Sequence, residues 1–126
     1  MIRLSVPLPP KQLHPNHAPF TRKGCIAKSR HAKAYKGRVM IEALAVAPAE
    51  PMRSARIRLT YHFPRAVPRV DRDNLVSWFK HGQDGLVLAG ILTDDDRVTN
   101  LPPVVAKDRE NPRVDVLILA DDEPMP

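Results

Sequence analysis

Acidic side chains are concentrated in one stretch of the chain, residues 70–98. Asp71 and Asp73 bracket a single residue, Asn74 follows them, and a run of three aspartates at 94–96 closes the stretch. Like charges held close together raise one another's pKa and destabilise a fold unless a cation neutralises them. Converging carboxylates therefore favour a divalent metal site, and Mg²⁺ takes oxygen ligands of this kind.

The chemistry that such a site serves is metal-assisted hydrolysis of a phosphodiester. Mg²⁺ lowers the pKa of an attacking water and neutralises charge on the scissile phosphate. Lys80 lies in the same stretch and would meet the extra negative charge of the transition state. The alternative for Lys80 is a surface lysine paired with Asp84 one helical turn later. The Asp-x-Asp-Asn pattern alone is weak evidence, because Asp and Asn are also the usual loop and capping residues.

The rest of the chain is basic. Twenty Lys and Arg residues stand against 14 Asp and Glu, which gives a formal net charge of +6, and six of the 14 acids lie within 71–96. A basic body around an acidic pocket favours nucleic acid over a membrane surface as the partner. A solvated basic surface without a partner is the alternative. The side chains predicted to contact DNA phosphates, through a salt-sensitive interaction, are Arg22, Lys23, Lys28, Arg65, Arg69 and Arg72.

The length of 126 residues predicts a single domain over 1–126. Cys25 is the one cysteine and cannot form a disulfide within the chain. No long apolar run indicates a signal peptide or a transmembrane helix. We therefore expect a cytoplasmic protein with no membrane partner and no organic cofactor.

Apolar periodicity predicts the main elements. Strict alternation predicts strands over 2–6 and 55–63, and a final pair of strands over 97–107 and 113–119. The segment 11–28 has no period and is predicted to be a basic surface loop. A helix is predicted from Arg30 to about Ala47, capped by Ser29 and stopped by Pro48.

A second helix is predicted to begin at Asp73 as its N-cap and to end at Gly90, with Gly82 and Gly85 weakening its continuity. Trp78 is expected in the core and residues 120–126 in a frayed tail. The elements together predict an α+β domain with a mixed sheet of about four strands and two main helices. If the second helix crosses the sheet, only an intervening partner such as a second subunit could bring the two acidic groups together.

These residues resemble a known family, the RusA-type Holliday junction resolvases. Within the acidic stretch the resemblance is carried by D-x-D-N-L at 71–75, K-x-x-x-D-x-L at 80–86, G-x-x-x-D-D at 90–95, and Val98. A P-x-P-P pattern at 7–10 and the region 33–35 extend it to most of the chain. Each piece is common, but the combination is specific.

The resemblance implies a RusA-like fold, a homodimer, and a Mg²⁺-dependent endodeoxyribonuclease of DNA recombination and repair. Such an enzyme resolves a four-way junction by paired symmetric nicks that leave a 5′-phosphate and a 3′-hydroxyl, and we expect Mn²⁺ to substitute for Mg²⁺. By this likeness Asp71, Asp73 and Asp95 are the metal-binding catalytic carboxylates and Lys80 is the catalytic lysine. Asp94 is expected to join the metal ligands.

The chain departs from the family pattern in the position of the lysine. Lys80 follows Asp73 by seven residues, whereas the family form has an interval of four, which here falls on Ser77. In one continuous helix both intervals lie on the same face, and the shift is about 4.5 Å. The run 94–96 also leaves open which aspartate is the third ligand. Two other functions remain: a nuclease for another branched or flapped DNA, and a catalytically silent DNA-binding dimer.

Overall fold

The described residues form an α+β fold, as predicted. The computed structural model describes residues 1–67, 71–94 and 97–126, which form one mixed sheet of five strands and three α-helices. In chain order the elements are β1 (Ile2–Val6), a 3₁₀ turn (Lys11–Leu13), α1 (Arg22–Leu44), β2 (Ala55–Phe63), α2 (Arg72–Trp78), α3 (Lys80–Leu88), β3 (Val98–Asn100), β4 (Val104–Lys107) and β5 (Arg113–Leu119).

Strand β2 is the centre of the sheet. On one side it pairs antiparallel with β5, which pairs antiparallel with β1. On the other side it pairs in parallel with β3 along its first half and with β4 along its second half. The predicted strands 2–6, 55–63 and 113–119 are confirmed. The prediction of one strand over 97–107 was wrong, because Pro102 and Pro103 lack the N–H groups that would continue it.

The core lies between the helices and one face of the sheet. Ile57, Leu59 and Tyr61 point to this face and are 1%, 2% and 0% exposed. Trp78 covers the end of the strand, with its ring centroid 5.6 Å from that of Tyr61. Its indole N–H donates to the carbonyl of Pro10 over 2.9 Å. The prediction that Trp78 belongs to the core is therefore confirmed.

Helix α1 begins earlier than predicted. Its N-cap is Thr21, whose hydroxyl accepts a hydrogen bond of 3.0 Å from the Gly24 N–H, so the predicted cap at Ser29 was wrong. The segment 11–28 is therefore not one loop, since its last seven residues form the first turns of α1. These turns are largely exposed and show no apolar period, which is why the sequence pattern missed them. Helix α1 ends at Leu44, before Pro48.

The second predicted helix is two helices, α2 and α3, with a break at Phe79. The Leu75 carbonyl, which would accept from the Phe79 N–H in a regular helix, accepts instead from the Tyr61 hydroxyl over 2.7 Å. The Phe79 N–H bonds to the Val76 carbonyl at 3.2 Å. The N-cap of α2 is Asp71, so the predicted cap at Asp73 was wrong.

The glycines of α3 have roles in packing and termination. A Cβ at Gly85 would lie 2.6 Å from the Lys36 carbonyl oxygen, so this glycine lets α3 lie against α1. Gly90 has a φ of +83° and ends the helical segment, as the sequence predicts. Among the helices in the described part of the chain, none has both the length and the apolar character needed to cross a membrane.

The C-terminal segment, for which the sequence predicts fraying, contacts the body of the protein as far as Glu123. The Met1 amino group lies 2.9 Å from the Glu123 carboxylate, and the Arg56 guanidinium donates to the carbonyl of Ala120 over 3.2 Å. The hydrogen bond from the Met1 amino group lowers the pKa of the Glu123 carboxylate. These contacts hold the start of the segment beside β2.

Candidate active site

Asp71 and Asp73 both lie at the start of α2 and are exposed. The Asp71 carboxylate caps the helix, because its Oδ1 accepts from the Asp73 N–H at 3.0 Å. The bond fixes the orientation of Asp71 and leaves its second oxygen available. Two carboxylates are thus presented from one helix end, and their oxygens are the ligands that Mg²⁺ prefers.

Helix α2 is anchored by its other residues. The Leu75 side chain is 3% exposed, and its carbonyl accepts from Tyr61 on the central strand. The Arg72 guanidinium donates to the carbonyl of Pro103, next to β4. The first acidic pair is therefore held at the side of β2 where β3 and β4 lie.

The second acidic segment borders the same edge. The Met52 N–H donates to the Ile91 carbonyl at 2.8 Å, and the Thr93 N–H donates back to the Met52 carbonyl at 3.1 Å. The chain returns to β2 where the Ala55 N–H bonds to the Arg97 carbonyl at 3.2 Å. Asp94 directly follows Thr93, the first of these anchors. Asp95 and Asp96 lie outside the described residues, as does Arg69, so their predicted roles stay predictions.

The two acidic segments lie at different positions along this edge. The second acidic segment reaches β2 at Ala55, which bonds to Arg97. The first is held near Thr60, because Arg72 contacts the Pro103 carbonyl and the next residue, Val104, pairs with Thr60. Five residues of extended strand separate these two points, which corresponds to about 17 Å. Within residues 1–67, 71–94 and 97–126, no three metal-ligating side chains of the His, Cys, Asp or Glu type converge. The described part of a metal site is the pair Asp71 and Asp73.

Lys80 is the first residue of α3 and is exposed. It forms no ion pair among the described residues, and its expected alternative partner Asp84 lies 4.0 Å from the imidazole Nδ1 of His81. The break at Phe79 separates Lys80 from the helix that carries Asp73. The argument that one continuous helix places positions 77 and 80 on the same face was therefore wrong.

Three lysines act electrostatically on His81, the second residue of α3. Burial lowers the pKa of His81, and the charges of Lys80, Lys36 and Lys28 lower it further against the opposing effect of Asp84. These three lysines therefore act on one imidazole and, with burial, favour its uncharged form. Lys28, predicted to contact phosphate, and Lys80, predicted to be catalytic, thus lie within electrostatic reach of the same side chain.

Two arginines near the second acidic segment had not been assigned to the site. Arg53 and Arg97 line a cleft together with Thr93 and Asp94. The place of Arg97 in the sequence, directly after the aspartate run, could have indicated that it belongs to the site. The sequence gives no such indication for Arg53, because its position depends on the bridge between Met52 and Leu92, which joins distant parts of the chain.

The other predicted DNA contacts are separated over the surface. Arg22 and Lys23 lie on the exposed first turn of α1, and Arg65 is exposed after the end of β2. Arg72 is partly engaged by the Pro103 carbonyl. The structure therefore places Arg72 beside the acidic pair and Arg22 and Lys23 on a separate helix end.

No protein-family model matches the chain, and no curated protein matches it in sequence. The resemblance to the RusA-type resolvases accordingly depends on the motif residues themselves. Two of its outlying parts meet in space, since the Tyr35 hydroxyl donates to the Pro7 carbonyl over 2.7 Å.

Proposed function

We propose that this protein is a Mg²⁺-dependent endodeoxyribonuclease that cleaves branched DNA, with the four-way junction as its substrate. The observation that carries the proposal is the placement of both acidic segments along one edge of the sheet, with Arg53, Arg72 and Arg97 beside them. Carboxylates bordered by arginines suit a phosphodiester that must be bound and hydrolysed at the same place.

Asp71 and Asp73 would hold the metal ion, and by the resemblance Asp95 and Asp94 would join them. Because their segment is anchored about 17 Å away along the edge, a second subunit would bring the two groups together. A bound Mg²⁺ supplies charge neutralisation at the phosphate and an activated water. Asp71 is oriented by its capping bond to the Asp73 N–H, so one carboxylate is fixed before any ligand arrives. This preorganisation avoids the cost of ordering a side chain during the reaction.

Lys80 would stabilise the negative charge that develops on the phosphate. Its ammonium is exposed and has no carboxylate partner among the described residues, so it is available to a ligand. Lys28 and Lys36 add to the positive potential around it. A cluster of this sign attracts the DNA backbone and makes binding depend on salt concentration.

A homodimer fits the substrate. A junction has arms related by a twofold axis, and a twofold protein dimer presents two identical sites to opposite strands. Paired symmetric nicks then follow from the symmetry of the complex. The products would be a 5′-phosphate and a 3′-hydroxyl at each nick.

Comparative cleavage of synthetic substrates tests this function. Wild-type protein with Mg²⁺ is incubated with a four-way junction, a flapped duplex and a linear duplex of the same sequence. The proposal predicts paired nicks in the junction and little cleavage of the linear duplex. Preferred cleavage of the flap would support a nuclease for other branched or flapped DNA. Binding without cleavage in both Mg²⁺ and Mn²⁺ would support the catalytically silent DNA-binding dimer.

A further inference from the structure

The sheet face opposite the helices carries a cluster of arginines. The strand register places Arg3 and Arg58 on either side of Leu117, in one row across β1, β5 and β2. The next row places Ser5 and Thr60 on either side of Asp115. These side chains and Arg113 line one concave region of this face.

The charges in this region are not balanced. Arg113 is paired, since its Nη1 lies 2.7 Å from Asp108 and its Nε lies 3.0 Å from Asp115. Asp115 also contacts the His62 imidazole at 2.8 Å. Arg3 and Arg58 have no carboxylate within ion-pair distance in the described part of the chain. Two unpaired guanidinium groups therefore face the same concavity.

Arg58 also has a polar atom without a partner. Its Nε, like that of Arg56 two residues earlier on β2, is shielded from solvent and has no hydrogen-bond acceptor among the described residues. A buried donor left unsatisfied costs about 1–3 kcal/mol, so native structures rarely leave one without a reason. An anion in the concavity would meet the charges of Arg3 and Arg58 together, and a turn of the Arg58 side chain toward it would give the shielded Nε–H an acceptor.

We infer that this face binds a phosphate group through Arg3 and Arg58. Guanidinium groups bind phosphate oxygens with two parallel hydrogen bonds, and the neighbouring Thr60 hydroxyl can supply one more donor. Asp115 does not prevent binding, because its carboxylate is already engaged by the Arg113 guanidinium and the His62 imidazole. The phosphate belongs either to free inorganic phosphate or to a nucleic-acid backbone. The site lies on the opposite sheet face from α2 and does not depend on the nuclease activity.

Titration followed by the arginine Nε–H signals in NMR spectra tests this site. Inorganic phosphate and a short single-stranded DNA are added in separate experiments, and the Arg58 Nε–H signal is expected to shift in at least one. A shift with phosphate alone identifies free phosphate as the ligand, and a shift with DNA identifies the backbone. No shift of this signal with either ligand would overturn the inference.

Variants separate the site from a general effect of charge. Arg58→Gln is expected to weaken binding of the effective ligand at least tenfold, whereas Arg109→Gln, which removes the same charge from an exposed loop, should change it less than twofold. Arg58→Lys keeps the charge but loses the paired N–H donors of the guanidinium group, so an intermediate affinity is expected. Folding of each variant is checked by thermal unfolding. Equal affinity for wild type and Arg58→Gln would contradict the proposal, even if junction cleavage is intact.

Discussion

The Tyr61 hydroxyl donates a hydrogen bond of 2.7 Å to the Leu75 carbonyl and so joins the central strand to the helix that begins with Asp71 and Asp73. Tyr61 is 0% exposed, and burial raises its pKa, so the hydroxyl stays protonated as a donor at any physiological pH. The bond occupies a carbonyl that a regular helix would use and accompanies the break at Phe79. One contact thus connects the core to the position of the first acidic pair.

Removal of this hydroxyl should affect both stability and cleavage. Tyr61→Phe keeps the ring that stacks on Trp78 but leaves the Leu75 carbonyl without its donor. We expect the free energy of unfolding in urea to fall by about 1–2 kcal/mol. We also expect junction cleavage to slow on the order of tenfold, because the helix carrying the carboxylates loses an anchor.

Tyr35→Phe is the matched control for this variant. It removes a hydrogen bond of the same length, from Tyr35 to the Pro7 carbonyl, which does not involve α2. A similar loss of stability with an unchanged cleavage rate is expected. If both variants slow cleavage equally, the Tyr61 contact has no special role in positioning the site.

Asp71 has two separable roles, helix cap and expected metal ligand. Asn caps a helix about as well as Asp, whereas Ala costs about 1 kcal/mol. Asp71→Asn should therefore unfold close to wild type yet lose cleavage by about a hundredfold or more. Asp71→Ala should lose both the stability that the cap contributes and the cleavage activity. Chemical denaturation and single-turnover cleavage measure the two effects, and wild-type cleavage by Asp71→Asn would remove this residue from the site.

Lys80 is expected to act in the transition state more than in binding. Lys80→Gln should slow cleavage by about a hundredfold while the dissociation constant for the junction rises only a fewfold. Lys107→Gln removes the same charge from an exposed position at the end of β4 and should leave the cleavage rate unchanged. An equal effect of the two substitutions would reduce Lys80 to a general contributor of charge.

Acid should destabilise the fold through the loop before β5. The hydrogen bond from Arg113 holds the pKa of Asp108 below the usual value of an aspartate side chain. Burial raises the pKa of Asp115, but the bonds from Ser5 and Arg113 outweigh this effect and lower it overall. A carboxyl with a lowered folded-state pKa stabilises the fold above its unfolded pKa and loses that contribution as the pH falls through the folded value.

Asp108→Asn tests this expectation. The free energy of unfolding of wild type should decrease as the pH is lowered from about 5 to about 2, and the decrease should be smaller in the variant. Asp122→Asn, which alters an exposed carboxylate of the C-terminal segment, should follow wild type. A variant whose pH dependence is the same as that of wild type would show that Asp108 does not contribute to acid sensitivity.

Strands β1, β2 and β5 could be predicted from the sequence because apolar residues that face the core alternate along them. The alternation at β1, β2 and β5 gave their bounds directly. The start of α1 could not be found this way, because its first turns bury little surface. The break at Phe79 was also hidden, since it involves Tyr61, which is far away in the sequence.

The same distinction applies to the candidate site. Asp71 and Asp73 are neighbours in sequence and occupy one helix end, as their spacing suggested. The cleft of Arg53 and Arg97 depends on a parallel bridge between distant segments, which no local pattern reveals. The shared effect of Lys28 and Lys80 on His81 depends likewise on the packing of α3 against α1.

Single-turnover cleavage of a labelled four-way junction by wild type and Asp73→Asn in Mg²⁺ tests the account most directly. Asp122→Asn serves as the control, because it removes the same charge from the exposed C-terminal segment. We predict that wild type and the control nick the junction at paired sites, and that Asp73→Asn binds it but cleaves at least about a hundredfold more slowly. Undiminished cleavage by Asp73→Asn, or no Mg²⁺-dependent cleavage by wild type, would contradict the account.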